Sequence, residues 1–182
     1  MDQYTMEEKH IWTIGHSTRN FDDFLIMLKA FDIREIADIR NYPGSKRYPH
    51  FNKDVLELSI PENSIGYTHF KDLGGRRKPA AGSINSGWKN SAFRGYADYM
   101  ATESFKNAIL ELEKIAAIKN TAYMCTEAVW WSCHRALVSD YLKIRGWKVW
   151  HIMSPNNATE HPFTKPARIV DGHLSYSAPE LF

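Results

Sequence analysis

Short apolar runs rich in β-branched and aromatic residues alternate along this chain with segments of helical periodicity. The runs predict five strands, at residues 10–14, 35–39, 67–70, 121–124 and 148–152. Helical spacing predicts helices at residues 52–60, 102–118 and 132–145, and another that starts after Asn20. Such alternation is typical of a parallel sheet with crossover helices. We therefore predict an α/β fold, in which a single domain over residues 1–182 contains an open, mostly parallel sheet of about five strands flanked by helices.

Two segments lack either periodicity. Residues 73–88, LGGRRKPAAGSINSGW, form the longest such stretch, and long irregular stretches in compact domains are often functional. We predict an active-site loop or lid over residues 73–95. Residues 153–182 are predicted to form a C-terminal extension packed on the domain.

The composition is typical of a domain with one substantial core. Of the 182 residues 43% are hydrophobic, but no apolar run is long enough to span a bilayer. The first ten residues are polar and acidic, unlike a secretory signal. We expect a cytoplasmic protein that does not contact membranes. Two cysteines in that compartment favour free thiols, redox chemistry or metal binding over a disulfide framework.

Basic residues are concentrated in one part of the chain. Residues 40–94 contain ten Lys and Arg and four Asp and Glu, whereas the whole chain has a formal charge of only +2. The same half of the chain carries the aromatic residues Tyr42, Tyr48, Phe51, Trp88, Phe93 and Tyr96. Guanidinium groups bind phosphates and rings stack on bases, so we expect an anionic small molecule or a nucleic acid as the partner. A homo-oligomer is possible, but no sequence feature indicates one.

Polar residues lie at or near the end of each predicted strand. In chain order they are His16 and Ser17, Asp38 and Arg40, His69, Cys125 and Glu127, and His151. The carboxyl ends of parallel strands lie at one edge of a sheet, where ligands bind in open α/β folds. We therefore expect these residues to converge on one site, with Arg40 and Arg76 or Arg77 holding an anion.

The segment CTEAVWWSCHR has the highest density of reactive groups. Cys133 lies on the apolar face of the last predicted helix, which favours a buried structural thiol, although a helix start would favour a thiolate. Cys125 follows a strand and is expected to face the cleft. The large rings of Trp130 and Trp131 are expected to wall the site.

Glu127 is the strongest catalytic candidate in this segment. A carboxylate two residues past a buried strand, beside two tryptophans, is suited to general acid or base catalysis or to binding a ribose hydroxyl. An ion pair with Arg135, or simple exposure in a turn, is the alternative. His134 and Arg135 place positive charge at a helix N-terminus, which opposes the helix dipole unless an anion compensates it. This mismatch favours a ligand-binding role for both.

Known cofactor and metal motifs fit this sequence poorly. Cys125, Cys133, His134 and His16 together offer four ligands, but the spacing C-x7-C-H is not that of a zinc knuckle. The sequence lacks the glycine-rich P-loop and dinucleotide motifs. Arg135 lies ten positions after Cys125, too far for the short loop of a cysteine phosphatase. We therefore predict no metal and no cofactor.

Six motifs in order resemble those of DUF488, a family of domains of unknown function. They are TIGHS, DIRNYPGS, LGGRR, FRGYADYM, CTEAVWWSCHR and HPFTKPARIVDGHLSY, and the resemblance covers nearly the whole chain. Thr126 and Ser132 stand where we expect a small and a basic residue in this family. The resemblance implies a compact α/β domain and no established reaction. The signature residues it implies are His16, Ser17, Asp38, Arg40, Pro43, Ser45, Gly74, Gly75, Cys125, Glu127, Cys133, His134 and Arg135.

Together these features predict an enzyme that acts on a phosphate-containing ligand, such as a nucleotide, a nucleoside or a nucleic-acid end, at the carboxyl edge of the sheet. The expected catalytic residues are Glu127, Asp38, His16 and Cys125. The expected ligand-binding residues are Ser17, Arg40, Ser45, His69, Gly74, Gly75, Arg76, Arg77, His134 and Arg135. Two alternatives remain open: a nucleic-acid-binding module without catalysis, and a redox or metal-binding protein built on Cys125 and Cys133.

Overall fold

The described residues form one mixed sheet and a small hairpin. The computed structural model describes residues 8–179. The strands of the sheet are β1 (Lys9–Gly15), β2 (Glu35–Asp38), β3 (Gly66–His69), β4 (Thr121–Cys125), β5 (Trp147–Ser154) and β6 (Asn157–Glu160). They lie in the order β3-β2-β4-β1-β5-β6, in which β6 is antiparallel to β5 and the other neighbours are parallel. The hairpin consists of β7 (Arg168–Val170) and β8 (His173–Ser175).

Helices cover both faces of the sheet. They are α1 (Phe21–Ala30), α2 (Lys53–Ser59), α3 (Ser91–Tyr99), α4 (Glu103–Ala116) and α5 (Arg135–Ile144). α1 and α2 pack into a hydrophobic cluster that contains Phe24, and α3, α4 and α5 pack into another that contains Tyr96. The neighbouring β4 residues Ala122 and Tyr123 belong to different clusters, because successive strand side chains point to opposite faces. The predicted α/β fold with a single, mostly parallel sheet is confirmed.

The chain starts two of these helices with the expected polar caps. The side chain of Asn20 accepts a hydrogen bond from the Asp23 N–H at 2.8 Å, and Thr102 caps α4 through the Phe105 N–H. All five residues of β4 are buried, as expected for a parallel strand covered on both faces. These local signals explain why most predicted elements lie within two residues of the observed ones.

The sequence pattern missed α3 and β6. α3 occupies residues predicted as loop or not assigned, because Gly95 in its middle weakens the helical signal. A Cβ at Gly95 would lie 2.3 Å from the Arg77 carbonyl oxygen, so the close approach of the preceding loop requires glycine there. β6 is a short, mostly exposed edge strand without an apolar alternation.

The start of α5 also differs from the prediction. The sequence predicts a helix over residues 132–145, whereas the observed helix α5 begins at Arg135. Residues Trp130–Ser132 form a separate 3-10 turn. Cys133 lies between them in an extended conformation, with φ −131° and ψ 151°. Cys133 is therefore not in the first helical turn, so the helix start does not favour its thiolate.

The two predicted irregular segments contain regular structure. Residues 74–90 form neither helix nor strand, but residues 91–95 begin α3. In the C-terminal segment, residues 153–154 complete β5 and the two short hairpin strands follow β6. Within residues 8–179, none of the helices has the length and apolar character that crossing a membrane requires.

Candidate functional site

A cavity of about 260 Å³ lies at the carboxyl end of β4 and β2. Seven of the residues predicted for the site line it: Arg40, Gly75, Arg76, Cys125, Glu127, Cys133 and His134. Seven others also line it: Asn41, Tyr42, Ala92, Phe93, Tyr96, Thr126 and Ser132. The phenol of Tyr96 donates to the Leu73 carbonyl at 2.6 Å, which ties α3 to the loop after β3. Phe93 and Tyr96 were among the aromatic residues that the sequence places in the basic half of the chain.

Two thiols and an imidazole meet on one side of this cavity. The Sγ atoms of Cys125 and Cys133 lie 3.9 and 3.7 Å from Nδ1 of His134. The two Sγ atoms and Nδ1 lie within 4.8 Å of one another. We call these three residues the sulfur–imidazole cluster. Both cysteines are buried free thiols.

The tautomer of His134 follows from its second contact. Its Nε2 lies 3.0 Å from the carbonyl oxygen of Ile39, and a carbonyl can only accept. Nε2 therefore carries a proton and donates it, so that in the neutral imidazole Nδ1 presents its lone pair to the two sulfurs. This contact also fixes the ring orientation.

The surroundings separate the two thiols electrostatically. Burial raises the pKa of the Cys133 thiol, but a hydrogen bond from Cys125, the charge of the His134 imidazole in its protonated form and the charge of Arg135 outweigh burial and bring this pKa well below its usual range. The hydrogen bond to Cys133, together with burial, raises the pKa of Cys125. Cys133 is the group that ionises first.

A glycine pair brings the loop after β3 against the cluster. A Cβ on Gly75 would lie 2.8 Å from Nδ1 of His134, and a Cβ on Gly74 would lie 2.8 Å from Cα of Asn41. Larger residues at either position would push the loop away from the imidazole. The glycines therefore allow the loop backbone to form one wall of the cavity.

The three arginines predicted to bind an anion differ in whether their guanidinium groups are free to do so. Arg76 is exposed at the cavity, in a left-handed conformation with φ 60°, and within residues 8–179 its guanidinium makes no hydrogen bond or ion pair. Arg77 packs 3.6 Å from the centre of the Tyr99 ring. Arg40 lines the cavity but forms a bidentate ion pair with Asp38. Arg76 is therefore the one of these three whose guanidinium is open to an anion.

The polar atoms of His16 and Asp38 form hydrogen bonds inside the protein. Nδ1 of His16 donates to the Ser17 carbonyl at 2.9 Å, so that Nε2 accepts from Nη1 of Arg40 at 3.2 Å. Burial, and then the charge of Arg40, lower the pKa of His16 to about 4. Asp38 also accepts from the Tyr67 hydroxyl at 2.6 Å. Neither residue lines the cavity.

Arg135 is buried below the cavity instead of lining it. Its Nη2 donates to the Glu127 carbonyl at 2.6 Å, and its Nη1 donates to Oγ1 of Thr13 at 2.9 Å. No carboxylate among residues 8–179 lies within ion-pair distance. Arg135 therefore holds the loop that carries Glu127 in place.

A chain of hydrogen-bond contacts links Arg135 to a distant carboxylate. Oγ1 of Thr13, which accepts from Arg135, lies 3.2 Å from Nδ1 of His151. Nε2 of His151 lies 2.8 Å from Nδ1 of His161, and Nε2 of His161 donates to Asp140 at 2.9 Å. All of these groups are buried. The relay, as we call this chain of five residues, connects Arg135 to Asp140 through Thr13, His151 and His161.

Sequence reasoning did not single out Asp140 or His161. An aspartate inside the apolar pattern of α5 was the available signal, and His161 begins the last of the six motifs. The hydroxyl of Tyr176 also donates to Asp140, at 2.9 Å. Asp140 thereby joins the C-terminal segment to the domain.

The remaining predicted residues make local contacts away from the cavity. Ser17 and His69 bond to backbone atoms of Thr126 and Arg40, and Ser45 accepts from the Tyr48 N–H. Trp130 stacks on His151 with ring centres 4.4 Å apart, while the side chain of Trp131 is 55% exposed.

The comparison with protein families agrees with the motif resemblance. The family model described as a domain of unknown function, DUF488, matches residues 20–142. The chain belongs to the DUF488 family. The DUF488 match includes the whole sulfur–imidazole cluster, whereas His151, His161 and Tyr176 lie outside it. Neither the curated proteins nor the solved structures give a match to this DUF488 chain.

Proposed function

We propose that this DUF488 protein is an enzyme that binds a phosphate-containing small molecule in the cavity at the carboxyl edge of the sheet. The observation that carries the proposal is the convergence of the sulfur–imidazole cluster, the Glu127 loop and the free guanidinium of Arg76 on one cavity. These groups come from two separate segments of the chain, the loop that carries Arg76 and residues 125–134. Perturbed reactive groups collected in a cleft are typical of active sites.

The anion-binding part of the proposal rests on Arg76. The charge of Arg40 is neutralised by Asp38, and the guanidinium of Arg135 is buried among oxygen acceptors. Arg76 has its guanidinium at the cavity mouth, and a guanidinium binds phosphate through two parallel hydrogen bonds. The substrate charge is therefore expected to lie near Arg76.

The chemical part rests on Glu127 and the sulfur–imidazole cluster. Glu127 is exposed at the cavity, and within residues 8–179 its carboxylate makes no hydrogen bond. It can therefore reach a bound substrate and transfer a proton. His16 and Asp38 have no catalytic role in this proposal, because their polar atoms are used inside the protein.

Binding is tested by calorimetric titration with AMP and with inorganic phosphate. Arg76→Gln should weaken binding at least tenfold, because losing a hydrogen bond to a charged group costs about 1.5–3 kcal/mol. Lys78→Gln, at an exposed position that does not line the cavity, is the matched control and should bind like the parent. Equal loss in both variants, or no binding by the parent protein, would contradict the proposed anion site.

Catalysis is tested with a panel of nucleotides, phosphate monoesters and phosphate diesters, with products separated by chromatography. Glu127→Gln should abolish turnover while AMP affinity stays within about threefold and stability changes by less than about 0.5 kcal/mol, as expected for an exposed side chain. Lys78→Gln should keep full turnover. If Glu127→Gln retains turnover, Glu127 is not the acid or base.

A nucleic acid is the second candidate ligand. The ring of Tyr42 lines the cavity and is 72% exposed, so it is available to stack on a base. Fluorescence anisotropy with mixed-sequence single-stranded DNA and RNA tests this alternative. Binding that falls steeply with salt supports it, and absence of binding at low salt excludes it.

A further inference from the structure

We infer that Cys125, Cys133 and His134 bind one Zn²⁺ ion, and that its fourth coordination position opens onto the cavity. The inference deepens the proposed function, on which it rests for the role of the cavity, by naming the reacting centre as a metal. It departs from the sequence prediction that the chain binds no metal. The donor geometry, the second contact of His134 and the space around Nδ1 support it.

The donor atoms are close to their positions in a tetrahedral zinc site. With Zn–S bonds of about 2.3 Å and Zn–N bonds of about 2.0–2.1 Å, tetrahedral angles place sulfur and nitrogen about 3.6 Å apart and two sulfurs about 3.8 Å apart. The two observed sulfur–nitrogen distances are 3.9 and 3.7 Å, and all three donors lie within 4.8 Å of one another. Small side-chain shifts complete the site.

The hydrogen bond from His134 to Ile39 prepares the imidazole for a metal. Metal-binding histidines almost always donate their other ring N–H to a carbonyl or carboxylate, which fixes the tautomer and the ring plane. Nε2 of His134 donates to the Ile39 carbonyl at 3.0 Å, and Nδ1 is left with its lone pair toward the sulfurs. The spacing of Cys125 and Cys133 is not that of a zinc knuckle, because no tight turn brings the two cysteines together. Cys125 is the last residue of β4, and Cys133 lies in an extended segment before α5.

The space beside Nδ1 is kept open. A Cβ at Gly75 would lie 2.8 Å from Nδ1 itself and 3.3 Å from Cε1 of His134. All three donor residues line the cavity, so the side of the cluster away from the protein interior is accessible to water or to a substrate oxygen. Three protein ligands with an open position are typical of catalytic zinc, whereas structural zinc has four protein ligands.

The donor set favours zinc over harder cations. Two thiolates and an imidazole are soft or borderline ligands, whereas Mg²⁺ and Ca²⁺ prefer oxygen. Two deprotonated sulfurs also neutralise the charge of a divalent ion, and coordination favours the deprotonated form of both thiols.

The first measurement is the metal content of the full chain purified without chelators, by mass spectrometry. We expect close to one zinc per chain. The second is a titration of the chelator-treated protein with Co²⁺, followed by absorption. Thiolate-to-cobalt charge-transfer bands in the near ultraviolet and intense visible bands, saturating at one equivalent and lost on adding Zn²⁺, would support the inference. Iron or copper in place of zinc would overturn the assignment of the ion.

Variants locate the site. Cys133→Ser and His134→Gln should each lower Co²⁺ affinity at least a hundredfold, whereas Ser132→Ala, at a lining position without a donor in the cluster, should bind like the parent. Gly75→Ala should lose binding because its methyl group occupies the space at Nδ1. Gly44→Ala is the matched control, since no described atom lies within 4 Å of its Cβ. Circular dichroism identifies any variant that fails to fold, and the spectrum of the parent protein tests the inference without variants.

Two results would overturn the inference. One is a parent protein that binds no Co²⁺ and contains no zinc, with both thiols titrating freely. The other is a disulfide between Cys125 and Cys133 in the purified protein, which would indicate a redox pair. Bound metal without AMP binding or turnover would overturn the proposed function alone, and AMP binding with turnover but no metal would overturn the zinc site alone.

Discussion

Arg135 shows how a charge at a helix start can be structural. The sequence places a cation where the dipole of α5 disfavours it, and that mismatch predicted an anionic ligand. The structure instead satisfies Arg135 with the Glu127 carbonyl and the relay to Asp140. Of the three guanidinium nitrogens of Arg135, only Nε is buried without a hydrogen-bond partner among the described residues. Removing the guanidinium would leave the Glu127 carbonyl and the Thr13 hydroxyl without their donor.

We predict that Arg135→Met destabilises the protein by about 1–3 kcal/mol for each acceptor left without its hydrogen bond, namely the Glu127 carbonyl and the Thr13 hydroxyl. Arg34→Met is the control, because Arg34 pairs with Asp32 at an exposed position and surface pairs contribute about 0–1 kcal/mol. Urea unfolding followed by fluorescence measures both. A loss below about 1 kcal/mol for Arg135→Met would show that the relay does not stabilise the fold.

For single residues, the sequence indicated which side chains are reactive better than it indicated which side chains they contact. Cys125 and Glu127 were expected at one edge because parallel strands end there, Arg76 was expected from the basic loop and His134 from the helix start. These four residues line the same cavity. No sequence pattern shows which arginine remains open after folding. That outcome depends on contacts between distant segments, such as the ion pair of Arg40 with Asp38 and the packing of Arg77 on a ring.

The tip of the loop between β3 and α3 is bonded to one carboxylate. Asp98, near the end of α3, accepts hydrogen bonds from the Ala80 N–H at 2.8 Å, the Ser83 hydroxyl at 2.6 Å and the Asn85 side-chain amide at 2.7 Å. The loop otherwise has no helix or strand of its own over residues 74–90. The position of its tip therefore depends on α3.

We predict that Asp98→Ala releases the tip of this loop and leaves the core folded. Amide hydrogen exchange should accelerate at residues 80–85, because three hydrogen bonds are lost there, while exchange in β1 and β4 stays unchanged. Glu111→Ala, at an exposed acid of α4, should leave the loop protected. Unchanged exchange at residues 80–85 in Asp98→Ala would mean that other contacts hold the loop.

Elements were predictable where local pattern and burial agree. The parallel strands read as apolar runs because both of their faces are covered, and α4 has a continuous apolar stripe. α3 and the turn at Trp130–Ser132 were not predictable, because their conformations are set by the Asn90 cap, by the close approach at Gly95 and by packing around Cys133.

Two buried neutral histidines make the whole molecule sensitive to acid. Burial and the charge of Arg40 lower the pKa of His16 to about 4. Burial, His161 and Arg135 lower the pKa of His151 to about 2. An unfolded histidine titrates near 6.5, so between these values the unfolded chain binds more protons than the folded protein. The contribution of these residues is complete above pH 6.5 and is lost as pH falls toward the folded pKa values.

We predict that the free energy of unfolding decreases from pH 6.5 to pH 5 by up to about 1.4 kcal/mol per pH unit for each of these histidines. Unfolding by urea at several pH values measures the slope. His151→Gln should reduce the pH dependence of the unfolding free energy by the contribution of one histidine, up to about 1.4 kcal/mol per pH unit. His173→Gln, at an exposed residue of β8, should leave it unchanged. A stability that does not vary between pH 6.5 and 5 would contradict the assignment of both groups as buried and neutral.

The strand order has a consequence for how the protein is made. β1, the first strand of the sheet to leave the ribosome, lies between β4 and β5, so one of its edges stays unpaired until residue 125 has been synthesised and the other until residue 154. One edge of β2 likewise stays unpaired until β4 has been synthesised. A nascent chain with open strand edges is prone to associate with other chains. Ribosome-bound fragments that end before β5 should therefore be captured by chaperones, and the emergence of β5 should be the event that lets the centre of the sheet form.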